Sequence, residues 1–563
     1  MAVSRSAASG PSQDERRGAG PESGPAGRFG PGQFGPGQGG PVRFGSALAG
    51  RSSLLGLALA VALLALLPVL ALMLYAARGR GRGEGLGLGE AGLEQLASTL
   101  TLVIGVGLTG ALLGTANGWL CANCRFAGRR WLRIAQLLPL ATPAYLLAAT
   151  LIDLGSRWNQ PIAGRGWAIA VLTLSTYSYV FLLATESFAS SGRRLLEASL
   201  SLGVGPWGSF RRVALPMALP AIGAGVALSA MEVVNDLGAV ELLGVPTLSG
   251  GILQRWQSQG DPQGAVGLAL VALVLVSVLV AAEQHLRRRS RRWSLGGGGD
   301  SSQGWQLQGW RAVAAQLLTA LPPLASLGLP LLWAGLSWDQ LQGEASAELA
   351  SLSLRSLGLG LGAALITTGM ALILTMAHRW IPLAAMQRLS FVAGMGYALP
   401  GAVLALALLL LGGPLQLSPL LLLVWGYGDR FLAVSKQGLD AALERIPPSL
   451  DEAATGLGCS WSGAARRVQL PLLRGPLLVG ALLVFVDVVK ELPLTFALRP
   501  FDFDTLAVRV YQYASDERVG AALLPALLIL LLGLVASLAL MPGLDQAARG
   551  ADSTRAGASR RPG

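Results

Sequence analysis

Charge is scarce in this chain. Only 13% of its 563 residues are Asp, Glu, Lys or Arg, about half of the roughly 25% that a water-facing globular surface carries. That deficit excludes a soluble protein of this length and places the chain in a bilayer. Soft metal ligands are scarcer still. Three Cys and two His are too few for a disulfide framework, a zinc cluster or a multi-haem protein. Lysine is almost absent: the two residues, Lys436 and Lys490, follow Ser435 and Val489. With no Gly-Lys dipeptide there is no G-x-x-x-x-G-K-[ST] phosphate loop, which excludes a P-loop nucleotide site built from this sequence. The net charge of +12 comes from 41 Arg, which flank apolar runs instead of forming one basic stripe. They read as topology signals and not as a nucleic-acid footprint.

What is abundant is apolar sequence, 52% of the chain. Residues 1–52, with GPGQFGPGQGGP at their heart, have a Gly, Pro and Gln bias that cannot bury a core, and are expected to be a disordered cytoplasmic tail. Apolar stretches follow at about 53–77, 96–120, 132–152, 167–187, 215–240, 263–283, 311–336, 349–376, 389–411, 415–434, 471–494 and 519–541. Each approaches the ~20 residues that cross ~30 Å of hydrocarbon. The first is too long for a signal-peptide core and reads as an uncleaved helix. The fold expected is an all-α polytopic membrane protein of about twelve transmembrane helices. With the amino terminus inside, 32 of the 43 basic residues fall on the cytoplasmic side, as the positive-inside rule requires. Arg78, Arg80 and Arg82 dissent, and Arg430, beside Asp429, is counted as the inner end of the tenth span.

Two polar stretches repeat one another. EASLSLGVGPWGSFRRVALP begins at Glu197 and EAATGLGCSWSGAARRVQLP at Glu452. Glu197, Ala198, Gly203, Arg211, Arg212, Val213, Leu215 and Pro216 recur as Glu452, Ala453, Gly458, Arg466, Arg467, Val468, Leu470 and Pro471, each 255 residues later. One fixed offset indicates a duplicated unit. Six crossings per unit return the chain to its starting side, so both stretches face the cytoplasm and the halves are related by a pseudo-two-fold axis along the membrane normal. The halves are expected at 53–295, with a loop at 193–216, and 311–545, with a loop at 437–471. A linker at 296–310 joins them, and 546–563 form a cytoplasmic tail. Locally, Glu197 to Leu202 suits a short helix, Gly203 a left-handed turn, and the residues after it a second short helix before Pro216 opens the next span.

These stretches resemble the EAA motif of membrane permease subunits of binding-protein-dependent ABC importers: E-A-A, three residues, G, nine residues, I-x-L-P. Ser199 replaces the third Ala of the first copy, and Val213 and Val468 replace Ile. The resemblance spans roughly residues 53–541, and the fused double arrangement is similar to that of ferric iron and thiamine importers. It implies the type I ABC importer permease fold and ATPase-coupling roles for Glu197, Ala198, Gly203, Leu215, Pro216, Glu452, Ala453, Gly458, Leu470 and Pro471. It also implies an ABC ATPase dimer, which uses ATP and magnesium, an external substrate-binding protein, and an inner (plasma) membrane location. No cofactor is expected in this chain and no catalysis by it. KELPLTFALRPFDFDTLAVRVYQYASDE, from Lys490, resembles the corresponding segment of ferric iron permeases. Thiamine, a polyamine or another small solute remain alternatives within the class, and an ion-driven secondary transporter remains one outside it.

Ionisable residues near a span face a cavity or a partner, since one at the bilayer centre costs ~2.5–3.5 kcal/mol. Glu232 and Asp236 recur as Asp487 and Glu491 at the same offset. Each pair is spaced i, i+4 for one helical face, beside a path whose outer mouth they would make attractive to a cation. With Lys490 they form the expected path or gate set. The alternative is a structural role, with Lys490 and Arg499 as counter-ions. Pro143 and Pro400 fall at similar places in their halves and read as paired breaks lining the path or as tolerated kinks. Cys121 and Cys124 make a CxxC without further ligands, and His285 and His378 sit among Arg at inner helix ends. None of these four is expected to bind metal.

Overall fold

The computed structural model describes residues 52–81, 89–190, 199, 201–293, 305–340, 346–381, 384–393, 399–518 and 520–536. The first half runs through α1 (Ser52–Gly81), α2 (Gly89–Asn123), α3 (Arg129–Ala135), α4 (Ala144–Arg157), α5 (Arg165–Ser190), α6 (Trp207–Asn235), α7 (Gly238–Leu242), α8 (Leu248–Leu253) and α9 (Pro262–Trp293). The second runs through α10 (Trp310–Leu336), α11 (Ser346–Trp380), α12 (Ala384–Ala393), α13 (Gly401–Gly412), α14 (Pro419–Glu444), α15 (Pro448–Gly456), α16 (Trp461–Val489), α17 (Pro493–Leu498), α18 (Leu506–Ser515) and α19 (Gly520–Ala536). Among the described residues eight helices are long and apolar enough to cross a bilayer, and a bent pair taken as one span makes a ninth. The three remaining expected crossings fall on α12 with α13, on α14 and on α19.

Two expected spans are broken. The 132–152 stretch bends by 92° between residues 141 and 144, and the 389–411 stretch is not helical at residues 399–400, just before α13. Pro143 and Pro400 stand immediately before the second pieces. Their fixed φ and missing N–H let a helix start there but not run through. The tenth span also departs from expectation. α14 does not end at Arg430 but continues to Glu444, with Asp429 and Arg430 in its middle and buried. Packing on other helices supplies what composition could not show, and Arg430 leaves the set of cytoplasmic charges.

The duplication reaches backbone packing. Gly225 of α6 lies so close to α5 that a Cβ there would sit 2.6 Å from Val180 Cα, and a Cβ on Gly480 of α16 would sit 2.8 Å from Ser435 Oγ of α14. Both members of the second pair are 255 residues beyond those of the first. First helices are exchanged: α1 packs on α11, α12 and α13, and Trp425 Nε1 of α14 donates to Leu64 O (3.0 Å). In turn α10 packs on α2, α3 and α4. A short parallel pair, β1 (Cys124–Arg125) with β2 (Trp305–Gln306), ties the end of the expected linker to the C-terminal end of α2.

Candidate functional site: a central cavity and two elbows

The turns of both elbows form as their glycines require. Gly203 and Gly458 have φ of 79° and 84°, a left-handed conformation that costs other residues a Cβ clash. Glu452 and Ala453 lie exposed on α15, preceding Gly458. Glu197 and Ala198 lie outside the described residues. No separate second helix precedes Pro216 or Pro471. Instead α6 and α16 begin before the prolines and pass them through wide π turns at 210–214 and 465–469, again 255 apart. Leu215 N bonds to Phe210 O and Leu470 N to Ala465 O, five residues back. The wider turn moves away the carbonyl that a proline ring would strike in an α-helix, so elbow and span are one continuous rod.

Different forces seat the two elbows. Around the first, Trp119, Trp207, Phe210 and Trp305 pack with centroids 4.8–5.3 Å apart. Around the second, Arg379 Nε donates to Asp451 Oδ2 (2.7 Å), Gln469 Nε2 to Asp451 Oδ1 (2.8 Å) and Trp380 Nε1 to Gln469 Oε1 (3.0 Å). Leu202 and Leu457, equivalent residues at the tips, are 82% and 87% exposed. Both elbows lie on one side of the bundle. Trp305, in the aromatic cluster of the first, lies five residues before α10, and the two crossings α10 and α11 bring the chain back to that side at Trp380, which bonds to Gln469 beside the second.

At the other ends of α6 and α16 lies a cavity of about 130 Å³. Glu232, Asp236, Asp487, Lys490 and Glu491 all line it, with Thr142, Tyr145, Ser175, Tyr179, Asn235 and Arg430. Ser175 is ten residues into α5, about 15 Å at 1.5 Å per residue, so the cavity lies near mid-membrane and not at the expected outer mouth. The acids do not share one helical face either. α6 ends at Asn235 and α16 at Val489, so Asp236 and Glu491 lie past the helix ends and turn to the next short helices. Asp236 Oδ1 accepts from Val240 N (3.1 Å). Glu491 accepts from Leu494 N (2.8 Å) and Thr495 N (2.9 Å). Glu232 accepts from Tyr179 Oη (3.2 Å), and Asp487 pairs with Lys490 (2.9 Å). Arg499 pairs with Asp504 instead.

A wider hollow of about 550 Å³, lined by Gln95, Glu241, Thr247, Gln254 and Phe496, is separated from the cavity by α7. Asn235, Arg430 and the wholly buried Asp429, whose oxygens have no hydrogen-bond partner among the described residues, escaped sequence reasoning. For Arg430 and Asp429 the available signal was a charge pair inside an apolar run. Burial pushes the Cys124 thiol up to about 11, away from thiolate chemistry. Among the described residues no group of three or more His, Cys, Asp or Glu is placed to hold a metal ion.

The pattern of two equivalent units, each with an elbow, a continuous rod and a broken helix, has a match among known families. Residues 114–292 and 369–546 each match the family described as binding-protein-dependent transport system inner membrane component. The chain belongs to this family. It is a fused double permease, a multi-pass inner-membrane transport subunit. Among similar proteins, the Fe(3+)-transport system permease protein FbpB 2 of Haemophilus influenzae is 27% identical over 458 residues, 78% of this permease and 87% of its relative. The molybdenum transport system permease protein ModB of Escherichia coli is 27% identical over 199 residues, 32% of this chain and 86% of that one. A probable sulfate transport system permease protein of Nephroselmis olivacea is 28% identical over 218 residues, 35% and 75% of the two chains.

Proposed function

We propose that this permease carries ferric iron inward from an external binding protein, driven by a separate ATPase dimer that grips both elbows and supplies ATP and magnesium chemistry. The observation that carries the choice of cargo is the charge of the central cavity. Glu232, Asp236, Asp487 and Glu491 line it against two cationic side chains, Arg430 and Lys490. An excess of carboxylate oxygen suits a hard cation and repels a divalent oxyanion. Similarity along most of both chains to a permease named for Fe(3+) supports the same reading.

The elbows supply the drive. Glu197, Ala198, Gly203, Leu215 and Pro216, and Glu452, Ala453, Gly458, Leu470 and Pro471, shape two knobs on continuous rods. Closure of the ATPase dimer draws the knobs together and opens the path outward. Both termini then lie in the cytoplasm.

A second reading, an oxyanion cargo, draws on α4. Pro143 leaves its N-terminus without a side-chain cap, Ala144 and Tyr145 there line the cavity, and helix N-termini favour anions. Reconstitution with the ATPase and binding protein in vesicles decides between them. ATP-dependent uptake of radioactive ferric iron, undiminished by excess molybdate or sulfate, is the expected result. Uptake of either oxyanion without iron would reverse the assignment.

A further inference from the structure

Asn235 and Lys490 are equivalent residues, 255 apart, at the ends of α6 and α16, and each reaches into the opposite half. Asn235 Oδ1 accepts from Gly401 N (2.7 Å), the first residue of α13, and from Arg430 Nη1 of α14 (3.1 Å). A first-half side chain therefore caps the second half's broken helix. Arg430 Nη1 also donates to Leu399 O (3.1 Å), gathering the approach to the same break. Lys490 Nζ donates to Leu140 O (3.1 Å), just before the first half's break, while Asp487 Oδ1 holds it at 2.9 Å. Leu140, Asn235, Arg430, Asp487 and Lys490 all line the central cavity.

We propose that these reciprocal contacts are the latch that holds the path shut at mid-membrane, and that Lys490 makes the latch sensitive to the charge of the cargo. The halves cannot part there without breaking the Asn235 bonds to Gly401 and Arg430 and the Lys490 bond to Leu140, because each runs from one half to the other. The two sides of the latch differ in kind. Asn235 is neutral and holds a helix end. Lys490 is a tethered cation occupying a carboxylate, so a cation reaching Asp487 competes for the same oxygen and repels both the ammonium and the Arg430 guanidinium. The ammonium leaves Asp487, its hold on Leu140 O weakens, and the latch opens only when cargo is present. Charge sensitivity rests on the cation reading above; the latch itself does not.

The test uses the permease assembled with its ATPase dimer in vesicles, with ATP hydrolysis measured without and with loaded binding protein. Lys490→Met and Asn235→Leu are expected to raise unstimulated hydrolysis about five-fold or more, the scale of an ordinary coupling between sites, while stimulation by binding protein shrinks. Lys490→Cys, made with Cys121, Cys124 and Cys459 replaced by Ala, separates charge from fold in a single protein. Modification by 2-aminoethyl methanethiosulfonate restores an ammonium and is expected to restore low hydrolysis; the methyl reagent is not. Wild-type hydrolysis in folded, monodisperse variants, or equal effects of the two reagents, overturns the latch. Wild-type assemblies that import an oxyanion but no iron would overturn the cation reading, and the hydrolysis comparison would still judge the latch.

Discussion

Gly225 and Gly480 show how much of the duplication depends on single atoms. Each lets a rod press close against its neighbour, Gly225 on the backbone at Val180 and Gly480 on Ser435, and neither position stands out among 75 glycines until the pair is seen in space. Gly225→Val should therefore destabilise the permease by about 1–3 kcal/mol through overpacking, since its new Cβ would lie 2.6 Å from Val180 Cα. Gly362→Ala, with open space around it, should instead be neutral or slightly stabilising, because alanine improves helix propensity. Thermal unfolding of the two purified variants checks the contrast. Asp236 and Glu491 carry a related lesson. Their i, i+4 spacing from Glu232 and Asp487 was legible, but the helix ends intervening at Asn235 and Val489 were not, and those ends let two acids that line the cavity also accept from the backbone of α7 and α17.

At the scale of elements, the elbows combine a readable turn with an unreadable join. The left-handed Gly203 and Gly458 follow from their place in the motif. The π turns do not, because a proline after a polar loop ordinarily marks a helix start, and only the register of α6 and α16 against their neighbours keeps those helices running past it. The second elbow is pinned by Arg379, Asp451, Gln469 and Trp380, which lie in three separate stretches of sequence. Arg379→Met leaves Asp451 half-satisfied and should loosen α15 by about 1–3 kcal/mol, the cost of a buried group that loses its partner. Hydrogen exchange over residues 448–456 should accelerate about ten-fold to a hundred-fold. If the elbow transmits work, uptake per ATP falls as well. Unchanged exchange there would mean that Gln469 and the helix packing suffice to hold the elbow.

For the molecule as a whole, the exchange of first helices makes the halves interdependent, and the elbows present matched apolar tips on one side. An exposed leucine on each, Leu202 and Leu457, is a contact wanting a partner. Leu202→Asp with Leu457→Asp should abolish co-purification of the ATPase dimer while the permease keeps its melting temperature, and pull-down from detergent extracts measures it. Retention of the ATPase by the double variant would place the docking surface elsewhere on the cytoplasmic face.

Composition, hydropathy and one recurring offset were enough to establish a membrane bundle, its duplication, its paired elbows and its lack of a phosphate loop. Those properties are periodic or local, and survive without knowledge of what touches what. The prolines already marked where two spans could break; that they do break there, that Arg430 lies inside α14 and not at the end of a span, and that Asn235 and Lys490 cross between halves were decided by tertiary structure. A polar group is costly in hydrocarbon without partners, and the partners that Asn235 and Lys490 find in the opposite half lie some 150–350 residues away along the chain.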